Sequence, residues 1–81
     1  MRVRVLLFAR LKELSGAGSL DLDVPEGTTV GEVWRRLQAL APSLQAFPRP
    51  PLAARNLQYA GAGTPLSEDD EVAFLPPVSG G

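Results

Sequence analysis

Residues 19–42 read SLDLDVPEGTTVGEVWRRLQALAP. The first six alternate strictly, with Leu20, Leu22 and Val24 on one face and Asp21 and Asp23 on the other, which is the period of a half-buried strand. Pro25-Glu26-Gly27 ends that strand as a turn. Thr29-Val30-Gly31-Glu32 then has the form of a capping box, with Thr29 at the N-cap and Glu32 at the third helical position. Beyond it Val30, Val33, Trp34, Leu37, Leu40 and Ala41 recur at helical spacing, while Glu32, Arg35, Arg36 and Gln38 fall on the wet side. Pro42 stops the helix.

On the N-terminal side, residues 2–9 (RVRVLLFA) set Arg2 and Arg4 against Val3, Val5 and Leu7 and predict another strand. Its second half is apolar on both faces, because Leu6 and Phe8 join Leu7, so the strand is central or its outer face is covered. Residues 10–15 (RLKELS) predict a helical turn, ended by Gly16-Ala17-Gly18. The two strands form a hairpin. On the C-terminal side, residues 42–51 hold four prolines and predict an ordered loop or a semi-rigid excursion. Residues 52–60 (LAARNLQYA) predict one or two short strands, Gly61-Ala62-Gly63 a turn, and Leu66 an isolated apolar anchor. Ser67 to Asp70 predicts a polar, solvated turn, and Glu71–Leu75 (EVAFL) the last strand. Pro76-Pro77 ends it, since neither can donate to a sheet ladder.

The order hairpin, helix, short strands, strand predicts an α+β fold of the β-grasp or ubiquitin-like kind: a mixed sheet packed on one main helix. Residues 1–75 form the single domain that 81 residues allow. Residues 76–81 form a flexible C-terminal Gly-Gly tail.

Composition removes whole classes of chemistry. The chain has no cysteine and no histidine. Disulfides, thiolate metal sites, a cysteine nucleophile and the commonest neutral-pH base are therefore excluded, and no metal or cofactor site is expected on the chain. Net charge is −1 with both signs interspersed, so no nucleic-acid footprint is expected. No segment approaches the ~20 apolar residues of a membrane span, and the expected location is cytoplasmic. What remains is carboxylates, Lys12, hydroxyls and the chain terminus.

The terminus is the richest of these. Two final glycines arise by chance in roughly 0.5% of chains, and frayed ends favour glycine. Here, however, Pro76 and Pro77 stand between the last strand and the tail, holding it away from the body. The side chains then shrink through Val78 and Ser79 to Gly80 and Gly81. A tapered peptide can thread a narrow channel, and glycine lets the backbone approach closely. Adenylation would turn the poorly electrophilic carboxylate into a mixed anhydride. A sulfur nucleophile would then displace AMP and leave a thiocarboxylate. A lysine would instead give an isopeptide bond.

VLLFARLKELSG (residues 5–16) and PLSEDDEVAFLPPVSGG (residues 65–81) are similar to the family of small, sulfur-carrying subunits of molybdopterin synthase. The Arg55-Asn56 pair also sits where that family has an asparagine, although Arg55 stands where an apolar residue is usual. The resemblance implies a ubiquitin-like fold and a carrier cycle. An activating enzyme of the ubiquitin-activating type, using ATP, adenylates Gly81. A sulfur donor then loads the thiocarboxylate. The tail, from Pro76, Pro77, Val78 and Ser79 to Gly80, enters the large subunit's active site. There sulfur passes to cyclic pyranopterin monophosphate. The chain itself would be the non-catalytic donor subunit of a sulfurtransferase, in a heterotetramer if the large subunit is dimeric. Three alternatives stand beside it: a ubiquitin-like modifier of lysines, a carrier for thiamine or tRNA thiolation, and a β-grasp interaction domain with an incidental tail.

Phe8, Tyr59 and Leu75 are candidates for a partner interface. Leu6 and Phe8, like Ala73 and Leu75, point away from the helix side of the sheet, and a partner could bury such a patch near the tail's root. Trp34 is expected in the core.

Overall fold

The computed structural model describes residues 1–47 and 51–76. Five strands, β1 (Arg2–Leu7), β2 (Ser19–Asp23), β3 (Leu52–Arg55), β4 (Gln58–Ala60) and β5 (Glu71–Leu75), form one sheet in the order β2-β1-β5-β3-β4. β1 runs parallel to β5, and the neighbouring pairs on either side are antiparallel. α1 (Ala9–Ser15) follows β1, and α2 (Val30–Leu40) joins the first hairpin to the second half of the sheet. This is the mixed-sheet β-grasp expected from the alternation and the capping box.

Each element forms for a local reason. Thr29 Oγ1 accepts the Glu32 N–H at 3.3 Å and donates to Glu32 Oε1 at 3.2 Å. The N-cap is therefore the expected one, although the glutamate reaches the hydroxyl rather than the Thr29 backbone. Gly31 at the second helical position allows the loop after β4 to approach. Its N–H donates to Ala62 O at 2.9 Å, and a Cβ there would stand 3.1 Å from both the Ala62 Cβ and the Ala62 carbonyl oxygen. α1 begins where Ala9, at φ 51°, bends the chain out of β1, and it ends on Gly16 at φ 81°.

The core lies between α2 and the inner face of the sheet. Val3, Val5, Leu7, Val72 and Phe74 pack from the strands against Val30, Val33, Trp34 and Leu37 of the helix. The Trp34 and Phe74 rings lie 5.2 Å apart between centroids and tie the two layers together, so Trp34 is a core residue. Leu66 is the buried anchor expected of it.

Two expectations need correction. Leu40 is exposed, because α2 ends there and the chain turns away at Ala41. Its place is taken from outside the helix. The Pro-rich stretch is no plain loop over its first half: Pro42–Ala46 winds into a 3-10 helix with Leu44 wholly buried. Residues 48–50 lie outside the described residues.

Candidate functional site

The outer face of the sheet is divided along β1. On one side Arg4 pairs with Asp21 at 3.4 Å and Arg2 with Asp23 at 3.5 Å, across the β1–β2 register. These arginines are solvated, as expected, and each has a cross-strand partner worth little in water. On the other side the surface becomes apolar. Leu6 stands opposite Ala73, Ala73 opposite Ala54, and Ala54 opposite Tyr59, all in register across four strands. Phe8, just beyond β1, and Leu75, at the end of β5, close the strip. The result is an open groove of about 340 Å³ lined mainly by Leu6, Phe8, Ala54, Tyr59, Ala73 and Leu75. Phe8 is 45% exposed and Tyr59 81%.

The structure thus brings Phe8, Tyr59 and Leu75 onto one surface. It also adds a residue that the alternation of apolar side chains does not reveal. Leu57 lines the same groove from the β3–β4 turn and is 90% exposed. Asn56 and Leu57 have φ of 48° and 72°, the pattern of a two-residue turn with both central residues left-handed. The available signal was the pair Asn56-Leu57 between two short strands, where Asn-Gly is the favoured turn.

That turn is fastened to the start of β5. Asp70 is buried, contrary to the solvated turn expected of Ser67 to Asp70. Its carboxylate accepts from Arg55 Nε at 2.7 Å, Asn56 Nδ2 at 2.9 Å and the Ser67 N–H at 2.7 Å. Burial acts to raise its pKa. The hydrogen bonds from Arg55, Asn56 and Ser67, together with the Arg55 charge, outweigh burial and hold the carboxyl below the usual carboxylate range. Asn56 is bonded again on the other side: its Oδ1 accepts the Glu71 N–H at 2.9 Å, and its N–H donates to Glu71 O at 2.8 Å. Arg55 therefore fits the strand because Asp70 meets it.

Leu75 stands opposite Leu52 at the end of the sheet, and the half-buried Pro76 leaves from there. The apolar groove and the root of the tail are contiguous through Leu75. Pro77, Val78, Ser79, Gly80 and Gly81 lie outside the described residues. Among the described residues there is no group of three or more metal-ligating side chains, and no helix long and apolar enough to cross a membrane.

The relatives of this chain match it over nearly its whole length. The ThiS family profile matches residues 5–81. A molybdopterin synthase sulfur carrier subunit of Arabidopsis thaliana is 36% identical over 81 residues, covering all of this chain and 84% of that protein. The crystal structure of SAMP1 from Haloferax volcanii superposes with a TM-score of 0.87 at 30% identity over the whole of both chains. A complex of subunits 1 and 2 of molybdopterin-converting factor from Helicobacter pylori contains the same fold, with a TM-score of 0.69 and 24% identity over the whole of both chains. The chain belongs to the ThiS family, and its kinship within that family is with molybdopterin synthase sulfur carrier subunits.

Proposed function

We propose that this chain is the sulfur-carrying subunit of a molybdopterin synthase, with Gly81 as the reacting terminus. The observation that carries the reading is the likeness, over the whole of this chain, to a molybdopterin synthase sulfur carrier subunit, within a family match that runs from β1 to Gly81. An ATP-using adenylating enzyme activates the Gly81 carboxylate. A sulfur donor then displaces AMP from the acyl-adenylate and leaves the thiocarboxylate. In the large subunit's active site that sulfur attacks a side-chain carbon of cyclic pyranopterin monophosphate and displaces the oxygen substituent there, one loaded chain being spent for each of the dithiolene's two sulfurs. Hydrolysis of the resulting acyl–sulfur bond by water leaves sulfur on the pterin and returns the carboxylate.

The chain's own part is presentation. Fully extended, residues 77–81 reach at most about 18 Å from Pro76. An active site that takes in Gly81 must therefore lie against the body near Leu75, where the apolar groove begins. Phe8, Tyr59 and Leu75 are the docking contacts in this reading. The Helicobacter pylori complex supports a large-subunit partner, with a heterotetramer as the consequence if that partner is dimeric. A cytoplasmic location suits the exchange of a thiocarboxylate with soluble enzymes. A second reading, attachment to lysines, is favoured by the likeness to SAMP1, a small archaeal modifier protein. It differs only in the nucleophile that meets the activated terminus.

The test is reconstitution of the large subunit, cyclic pyranopterin monophosphate and chain that has been through activation and sulfur loading. Full-length chain should yield the dithiolene product, and chain lacking Gly81 should yield none. Product from the Gly81-deleted chain would overturn the proposal.

A further inference from the structure

Leu57 has a conformation and an environment that folding alone does not account for. It sits at φ 72°, where the Cβ of an L residue crowds the following carbonyl oxygen, so that a bulky apolar side chain is strained and glycine or asparagine is at ease. It is 90% exposed and absent from the core, so burial does not offset that strain. The position is nonetheless held firmly. Asn56, its neighbour in the turn, is bonded to both Asp70 and Glu71, and Arg55 is bonded to Asp70. Strain kept at a well-anchored site points to use rather than to packing.

Its location says what the use is. The β3–β5 register puts Leu52 beside Leu75 and Arg55 beside Val72, so the Asn56-Leu57 turn lies at the opposite end of β5 from the tail. Leu57 and Leu75 therefore line the two ends of one apolar groove, about 10–15 Å apart. A contact at the tail's root alone leaves the body free to pivot. A second apolar contact at the far end fixes the direction in which the tail points.

Resting on the sulfur-carrier reading above, we propose that Leu57 is a positioning residue. It is a distal anchor that inserts into an apolar pocket of the large synthase subunit and sets the angle at which the tail enters. The short reach of residues 77–81 places a protein that receives Gly81 against this face, and the large subunit is the occupant we commit to because a complex of subunits 1 and 2 holds this same fold. The turn keeps a strained leucine in place of the asparagine or glycine that would suit it better, because the side chain serves the complex rather than the monomer.

The inference makes stability and affinity move apart. Leu57→Asn and Leu57→Gly suit the left-handed turn, so the free chain should melt at or slightly above the wild-type temperature. The same variants should bind the large subunit about tenfold more weakly or worse, as expected on losing an apolar anchor that the partner buries. In sulfur transfer from thiocarboxylated chain, KM should rise as the contact is lost and kcat should fall with it, because the tail's direction is no longer fixed. Leu57→Met, which keeps apolar bulk, should bind within about threefold of wild type. Wild-type binding with Leu57→Asn and Leu57→Gly unchanged within about twofold would overturn the anchor and leave the carrier reading intact. Failure of the wild-type chain itself to bind the large subunit would overturn both.

Discussion

At the scale of single residues, Asp70 is the group on which the second half of the sheet depends. It is a buried carboxylate that joins the β3–β4 turn to the start of β5 through Arg55, Asn56 and the Ser67 N–H. Replacing it by alanine leaves the buried parts of those donors unsatisfied, which costs about 2–4 kcal/mol. In a chain this small that lowers the melting temperature by roughly 10–20 °C. Because folding depresses its pKa, the folded state holds its charged form more tightly than the unfolded chain does. Its stabilisation is therefore complete above the unfolded pKa and is lost as pH falls through the folded one. Melts of wild type and Asp70→Ala should differ fully at pH 7 and converge as the pH falls below about 4. A difference that persisted unchanged into acid would place the stabilisation elsewhere. The sequence could not single this residue out, because Ser67 to Glu71 offers four carboxylates in a row and burial selects one. The clue was Arg55, a charge in an otherwise apolar strand that had to find a counter-ion.

At the scale of elements, α2 and its surroundings show what a periodic pattern reveals and where it stops. Thr29, Glu32, Val33, Trp34 and Leu37 occupy the positions that capping chemistry and the 3.6-residue period assign them. The pattern fails at Leu40, because periodicity continues on paper through a residue at which the real helix ends. The 3-10 helix Pro42–Ala46 then returns Leu44 to the vacant end of the core. A stretch dense in proline hides such a turn, since proline marks where a helix stops and leaves the next element unspecified. The exchange of roles is measurable by denaturant unfolding. Leu44→Ala should cost about 2–5 kcal/mol as a cavity-forming change. Leu40→Ala, on the exposed end, should stay within about 0.5 kcal/mol. The reverse order would mean that the helix, not the 3-10 turn, closes the core. The β3–β4 hairpin was legible only as one or two short strands, and the left-handed Leu57 at its tip was not, because backbone handedness leaves no periodic trace.

At the scale of the whole molecule, the sheet separates three tasks. Its inner face holds α2 and supplies the stability. Its outer face is charged over β1 and β2 and apolar over β1, β5, β3 and β4, so one molecule presents a solvated half and a half suited to a partner. The last strand then ends, at Leu75 and Pro76, at the edge of the apolar half. Phe8, Tyr59 and Leu75 could be grouped from sequence because strand alternation says which side chains point away from the helix. Their spacing could not, because it depends on β1 running parallel to β5 and on the order of the strands. Gly80 and Gly81 were legible as chemistry rather than as structure: a chain with no histidine and no cysteine leaves its terminus as the most distinctive reactive group. The central claim is that this terminus carries sulfur. Intact mass spectrometry of the chain, after incubation with an adenylating enzyme, ATP and a sulfide source, tests it most directly. The account predicts the mass gain of one oxygen-to-sulfur exchange, located at Gly81 and lost when Gly81 is deleted. A folded chain left unchanged by an activating enzyme competent on another carrier, or a gain that survives the deletion, would contradict it.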